Sequence, residues 1–398
     1  MRFQSLLSLS AWLLTALAVP LNAAAQGTSA QQRPLHPARY TVTDLGTLPG
    51  GNSSQPYFIT HNGHVAGSSN LADGASHAVV WSRKQATDLG TLGGSNSIAF
   101  GANAAAHAAG EAETSVSDPN GEDFCGFGTH LTCLPFESAD GVMNPLPTLG
   151  GNNGAVNMIN RWGTAVGFAE TSVPDQACPP PQVLHFKPAV WRDGKVHGLR
   201  TFAGDPDGLA LAINDRGQIV GSSGICATFQ PTLINLIGVH PIMWEKGKPI
   251  DLGNLGGTTG AAGGNIAWNL NNRGQVVGVS DLAGDTIFHA FLWTKEKGMQ
   301  DLGTLPGDVN STGSGINDAG DIVGLSFDQN FNGRAFLWHK GRMTDLNTLI
   351  PANSPMFLFS GCSINDDGQI TGLGVTATGE FHAYLLTPTD EWSESANR

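Results

Sequence analysis

One nine-residue pattern, I-N-D-x-G-x-I-V-G, recurs along this chain and restricts what it can fold into. Four copies are sharp: residues 213–221 (INDRGQIVG), 270–278 (LNNRGQVVG), 316–324 (INDAGDIVG) and 364–372 (INDDGQITG). Three are looser: 59–67 (ITHNGHVAG), 102–110 (ANAAAHAAG) and 159–167 (INRWGTAVG). The closing glycines, at 67, 110, 167, 221, 278, 324 and 372, are 43 to 57 residues apart. A fixed period of this length is the mark of a repeat architecture.

Each copy is followed by a segment ending in a large apolar residue, as in HAVVW (77–81), HPIMW (240–244), HAFLW (289–293), RAFLW (334–338) and HAYLL (382–386). A turn then leads to D-L-G-T-L, as at 88–92 and 301–305, or with Asn254 at 251–255. Asn or Asp beside Gly is the chemistry of tight hairpins, where positive φ is needed. Each unit therefore reads as four short strands, a to d, and four strands in roughly 45 residues make one propeller blade. One such sheet cannot bury its own faces, but stacked sheets bury each other. The sequence predicts an all-β, seven-bladed β-propeller over residues 38–390.

The two ends support a closed ring over an open solenoid. The seventh unit stops at HAYLLTPTDE without its D-L-G-T-L strand, and residues 40–48 (YTVTDLGTL) supply a spare one. The N-terminal strand is expected to complete the last blade. The D-L-G-T-L-G-G, I-N-D-x-G and H-A-F-L-W set resembles the bacterial extracellular HAF-repeat family, whose triplet appears here as His289-Ala290-Phe291. The resemblance spans residues 40 to about 387 and departs most at 133–136 (CLPF) and 187–191 (KPAVW). It implies export and repeat architecture, with no particular activity.

The flanks set the expected compartment. An Arg at position 2, an apolar run to about Pro20 and Ala23-Ala24-Ala25 read as a cleaved Sec signal peptide over residues 1–25. Residues 26–37 read as a disordered leader and 391–398 as a disordered tail. The mature protein is expected in the periplasm or the medium, with no membrane span and as a monomer. With 20 basic against 33 acidic residues and a net charge of −13, it has no basic cluster for nucleic acid. No cofactor is implied.

The repeats are unequal at one point. From the strand-b glycine to the last residue of strand c the separations are 14, 26, 24, 23, 15, 14 and 14 residues. Units two, three and four thus carry insertions in their b–c connections, and adjacent insertions would raise a wall on one face. Loops on a rigid scaffold are the usual carriers of binding, whereas neutral length drift is cheap. Four of the five cysteines fall there. Cys125 is expected to pair with Cys133, and Cys178 with Cys226; Cys362, in strand a, reads as a buried free thiol. Asp118, Glu122, Asp123, Phe124, Phe127, His130, Asp175, His185 and Phe229 are the candidate ligand-binding residues. Aromatic rings beside carboxylates suit a glycan or an extracellular peptide, although the rings would equally make small cores under the loops.

Other patterns carry less. His77, Thr132, Lys187, His240, His289, Arg334 and His382 share one repeat position, which reads as a basic strand end bonded to a neighbouring blade. Asp328, Asn330 and Asn332 match the start of a calcium loop, but His339 stands where its final Glu belongs, so turn chemistry is the better reading. The Asn of I-N-D reads as a hairpin cap. No catalytic nucleophile elbow, zinc-protease motif, phosphate loop or sialidase box is present. The expected function is an exported, non-catalytic binding protein using the insertions of blades 2–4. The alternatives are a glycan hydrolase or lyase drawing acids from that face, and a structural envelope or biofilm protein.

Overall fold

The computed structural model describes residues 39–389 apart from 83, 231–232 and 260–261, and the side chains at 227–239 are outside the description. The expected signal peptide, the whole of the leader and the tail lie outside the described residues, as does the Phe229 side chain. Seven four-stranded antiparallel sheets form a seven-bladed β-propeller. Blades 1 to 6 each take four consecutive strands, over residues 54–88, 93–145, 150–198, 207–251, 265–301 and 310–345. Blade 7 takes strands a to c from residues 356–388, and Tyr40–Asp44 is its outer strand. Tyr40 pairs with Pro388 and Asp44 with Tyr384, so the spare N-terminal strand closes the ring as its sequence predicts.

The closing glycine of each repeat has a steric cause. Strand a skips one residue in every blade, for example between Pro56 and Phe58, and the bulge pushes a strand-a carbonyl against strand b. A Cβ on Gly67 would meet the Gln55 oxygen at 2.1 Å, and one on Gly278 the Ile266 oxygen at 1.9 Å. The aromatic of strand c then lies over the bare glycine: Phe291 opposes Gly278, Phe336 opposes Gly324 and Tyr384 opposes Gly372.

Blade 2 corrects one alignment. Phe136 pairs with Gly110 and so occupies the place of Phe291, not that of Trp293. The place of the tryptophan is taken by Ser138, whose hydroxyl accepts from Ala108 N at 3.0 Å. Apolar clusters lie between successive blades, such as Ile242, Trp244, Ala267, Val276 and Phe291 between blades 4 and 5. No helix among the described residues is long and apolar enough to cross a membrane.

Candidate functional site

The b–c and d–a connections share one face of the ring, and there blades 2 to 4 differ from the rest. Their b strands run on to Ala108–Ser117, Ala165–Pro174 and Ile219–Gln230, against six residues in blades 1, 5 and 6. Disulfides join Cys125 to Cys133 within blade 2 and Cys178 to Cys226 between blades 3 and 4. Cys362 is free and sits in the strand-a bulge of blade 7, where burial pushes its thiol up to about 11.

Inside the insertions a chain of carboxylates holds backbone. Asp118 Oδ1 accepts from the amides of Asn120 and Glu122, and both Asp123 oxygens accept from Gly128 N at 3.0 Å. Glu122 Oε1 accepts from Val183 N and Leu184 N of the next blade at 2.6 and 2.9 Å. Gln182 Nε2 lies 3.1 Å from Glu122, 2.7 Å from Glu170 and 2.8 Å from the Leu184 carbonyl. An amide nitrogen has two protons for these three acceptors. A proton on Glu170 relieves that excess: burial first, then the Glu122 charge, raises its carboxyl to about 8.

Glu113 and Glu170 escaped the sequence reading. Both belong to a shared pentapeptide, AETSV, at 112–116 and 169–173, which was the available signal. Each carboxylate holds the entry to its blade's strand a. Glu113 accepts from Asn96 N at 3.0 Å, and Glu170 from Asn152 N and Asn153 N at 3.1 and 3.0 Å.

The candidate aromatics gather under the loops. Phe124 is buried against Phe168 with ring centres 5.3 Å apart, Phe127 packs beside them, and Phe186 packs with the Cys178–Cys226 bridge. His130 stands at the surface, its Nδ1 2.9 Å from the Gly121 carbonyl.

At the junction of blades 3 and 4, Asp175 and Asp207 face each other with His185. Nδ1 of His185 lies 2.9 Å from Asp207 Oδ1 and 3.4 Å from Asp175 Oδ2. Both aspartates are buried, and burial raises the Asp207 carboxyl above its ordinary value despite the histidine. Asp207 opens strand a of blade 4. Its place in the repeat is visible only once strands of adjacent blades are in register.

The shared basic position needs correcting. His77, His289 and His382 do not reach a neighbouring blade: each lies 2.9–3.0 Å from the aspartate of the adjoining D-L-G strand in its own sheet, Asp88, Asp301 and Asp44. Strands c and d are antiparallel, and each aspartate pairs with the residue two places after the histidine, which brings the two side chains together on the diagonal. His240 pairs instead with Asp205, and Arg334 with Asp308 and Asp345. At the calcium-like segment, Asp328 accepts from the amides of Asn330 and Asn332 and from the Asn332 side chain, which is a local turn.

The opposite face carries a cavity of about 470 Å³ at the mouth of the central channel, ringed by the I-N-D turns. Five of its asparagines are committed at both ends. Asn214 Oδ1 caps its own turn, accepting from Arg216 N and Gln218 N at 3.0 Å, while its Nδ2 donates to the Asn271 carbonyl of the next blade. Asn160, Asn271, Asn317 and Asn365 make the same reach, the last to Thr60 of blade 1 at 3.1 Å.

No protein-family model matches the chain, and no curated protein sequence does. Among solved structures it is similar to the β-propeller domain of the Trilobed protease from Pyrococcus furiosus, with 9% identity over 87% of this chain and 93% of that one and a TM-score of 0.45. It is also similar to the WD40 β-propeller domain of Doa1, with 14% identity, 88% and 98% coverage and a TM-score of 0.40. Trypanosoma rangeli sialidase aligns at 8% identity over 86% of this chain and 56% of that one, with a TM-score of 0.39.

Proposed function

We propose that this chain is an exported, non-catalytic binding protein whose b–c face takes a peptide or protein partner. One observation carries the reading. Ten large apolar side chains are exposed among the described residues, and seven belong to that face: Val116, Val173, Ile225, Ile287, Val309, Phe331 and Phe357. Scattered apolar groups are normal on a surface, but gathering on one face marks an interaction site. Val116 and Val173 hold the same place in adjacent insertions, at 60% and 55% exposure.

Five of the seven are aliphatic, which favours a peptide over a glycan, since a glycan calls for flat aromatic platforms and free polar groups. The acids that a hydrolase would draw on support the same choice. Asp118, Glu122, Asp123 and Asp175 are buried, and the hydrogen bonds of the first three hold the loops themselves. Two disulfides fit an oxidising compartment, in keeping with Sec export to the periplasm or the medium. The coupling of D-L-G to H-A-F through His–Asp pairs supports membership of the HAF-repeat family, because two of its three motifs then form one physical unit.

The test is a peptide array and a glycan array probed with the labelled protein. A Val116→Asp, Val173→Asp double variant should lose peptide binding at least about tenfold, because charge on an apolar contact is costly to desolvate. Trp162→Ala, on the opposite face, should leave binding intact. Binding that survives the first change and disappears with the second would place the site at the channel mouth instead.

A further inference from the structure

The repeat provides its own control for the junction of blades 3 and 4. At the preceding junction, Asn153 lies in strand a of blade 3, just before Gly154 pairs with Ala169. Its Oδ1 accepts from Cys133 N of blade 2 at 2.9 Å, and its Nδ2 donates to Asp118 Oδ2 at 2.9 Å. Asp175 occupies the place of Asp118 one blade on, at the end of the extended b strand, with its Oδ1 bound to Ala177 N as Asp118 Oδ1 is to Asn120 N. Asp207 occupies the place of Asn153, and its Oδ1 accepts from Phe186 N of blade 3. The amide that should donate to Asp175 has therefore become a second carboxylate. Asp175 Oδ2 and Asp207 Oδ2 are both buried, and neither has a hydrogen-bond partner.

Two buried, opposed carboxylate oxygens without a donor call for either a shared proton or a positive group between them. His185 is added at this junction, with Nδ1 turned toward both aspartates and 22% of its side chain open to solvent. We propose that Asp175, His185 and Asp207 form a binding site for a divalent transition-metal ion, with Zn²⁺ the best fit. The ligand atoms lie within 4.8 Å of one another, and the two histidine separations are 2.9 and 3.4 Å. Tetrahedral zinc bonds of about 2.0–2.2 Å place neighbouring ligand atoms about 3.3–3.6 Å apart, which the Asp175 separation meets and the Asp207 separation reaches when that pair opens by a few tenths of an ångström. An imidazole with two carboxylates selects zinc over calcium or magnesium, which take all-oxygen shells. The open side of His185 admits the ion and leaves room for water as the remaining ligand.

The site clips blade 3 to blade 4 beside the Cys178–Cys226 bridge, whose sulfurs are already bonded to each other and are not ligands. This assignment does not depend on the peptide-binding reading, because it concerns buried groups beneath that face.

The experiment uses the full chain with both disulfides intact, stripped of metal and dialysed against micromolar ZnCl₂. The wild type should take up one Zn²⁺ per chain more than Asp207→Asn, and zinc should raise its Tm. Asp207→Asn restores the donor present at Asn153. It should therefore abolish the specific uptake and raise the Tm of the metal-free protein by roughly 1–3 °C. His185→Ala removes a side chain that reaches solvent and should weaken zinc binding at least about tenfold. The proposal is overturned if the metal-free wild type takes up no zinc, which would leave a shared proton between the aspartates. Equal uptake by the wild type and both variants would overturn it too, by placing the zinc on other histidines.

Discussion

His382 Nδ1 lies 3.0 Å from Asp44 Oδ2, joining residues 338 positions apart in the chain. The same contact joins His77 to Asp88 and His289 to Asp301 inside single repeats. The N-terminal strand thus enters blade 7 as a native fourth strand, complete with the turn in which Asp44 Oδ1 accepts from Gly46 N at 2.8 Å. Truncation before residue 49 should leave strand c of blade 7 as an open edge and remove the buried Tyr40. The truncated protein is expected to self-associate on size-exclusion chromatography beyond the full chain, and a peptide of residues 39–48 should return it to the elution position of the full chain. A truncation that elutes as the full chain does and is equally stable would contradict closure by this strand.

The asparagine belt predicts unequal costs for equivalent substitutions. Asn214→Ala removes two caps to its own turn and a bond to blade 5, and should destabilise by about 2–4 kcal/mol. Asn103 caps its turn through Ala105 N and His107 N but makes no bond to the next blade among the described residues. Asn103→Ala should cost about half as much by urea denaturation. Equal losses would mean that the cross-blade bond contributes nothing.

The two disulfides should differ in weight. In the chain-entropy account, a bridge closing the 48-residue separation of Cys178 and Cys226 contributes about 4 kcal/mol, against about 2.5 for the 8-residue separation of Cys125 and Cys133. Paired Cys→Ser variants should follow that order in denaturant midpoint. The reverse order would show that the blade 3–4 junction is held chiefly by other contacts.

Stability should fall as pH rises from about 4.5 to about 8. Glu170 holds its proton in the folded protein up to about 8, whereas the unfolded chain releases it near the ordinary 4.5. The folded state therefore binds more protons throughout that window, so the stabilisation is complete below it and lost as pH rises through it. Burial pushes Glu111 and Asp281 in the same direction. Glu170→Gln, which keeps the shape without the charge, should flatten the slope of urea midpoint against pH. A slope identical to that of the wild type would remove Glu170 from the account.

Much of the fold was legible because the repeat states it seven times. The glycine of I-N-D-x-G-x-I-V-G, the D-L-G turn and the spare first strand each carry a local steric or hydrogen-bonding demand that sequence displays directly. The insertions and both disulfide pairs were legible from spacing. What sequence hid is burial. Asp118 and Glu122 read as exposed ligands because carboxylates are rarely buried, yet here they replace solvent with backbone amides. The slip of two residues at Phe136 was invisible because Ser138 gives no aromatic signal. The Asn-to-Asp change at Asp207 gains meaning only when strand a of one blade is set beside strand c of the last.

The claim that the b–c face is the binding surface is tested most directly by a hydrogen-exchange footprint of the protein with an array-selected peptide. Protection should be confined to residues 114–130, 171–185 and the b–c and d–a connections of the neighbouring blades. Protection centred instead on the I-N-D turns and Trp162, with the insertions unchanged, would contradict it.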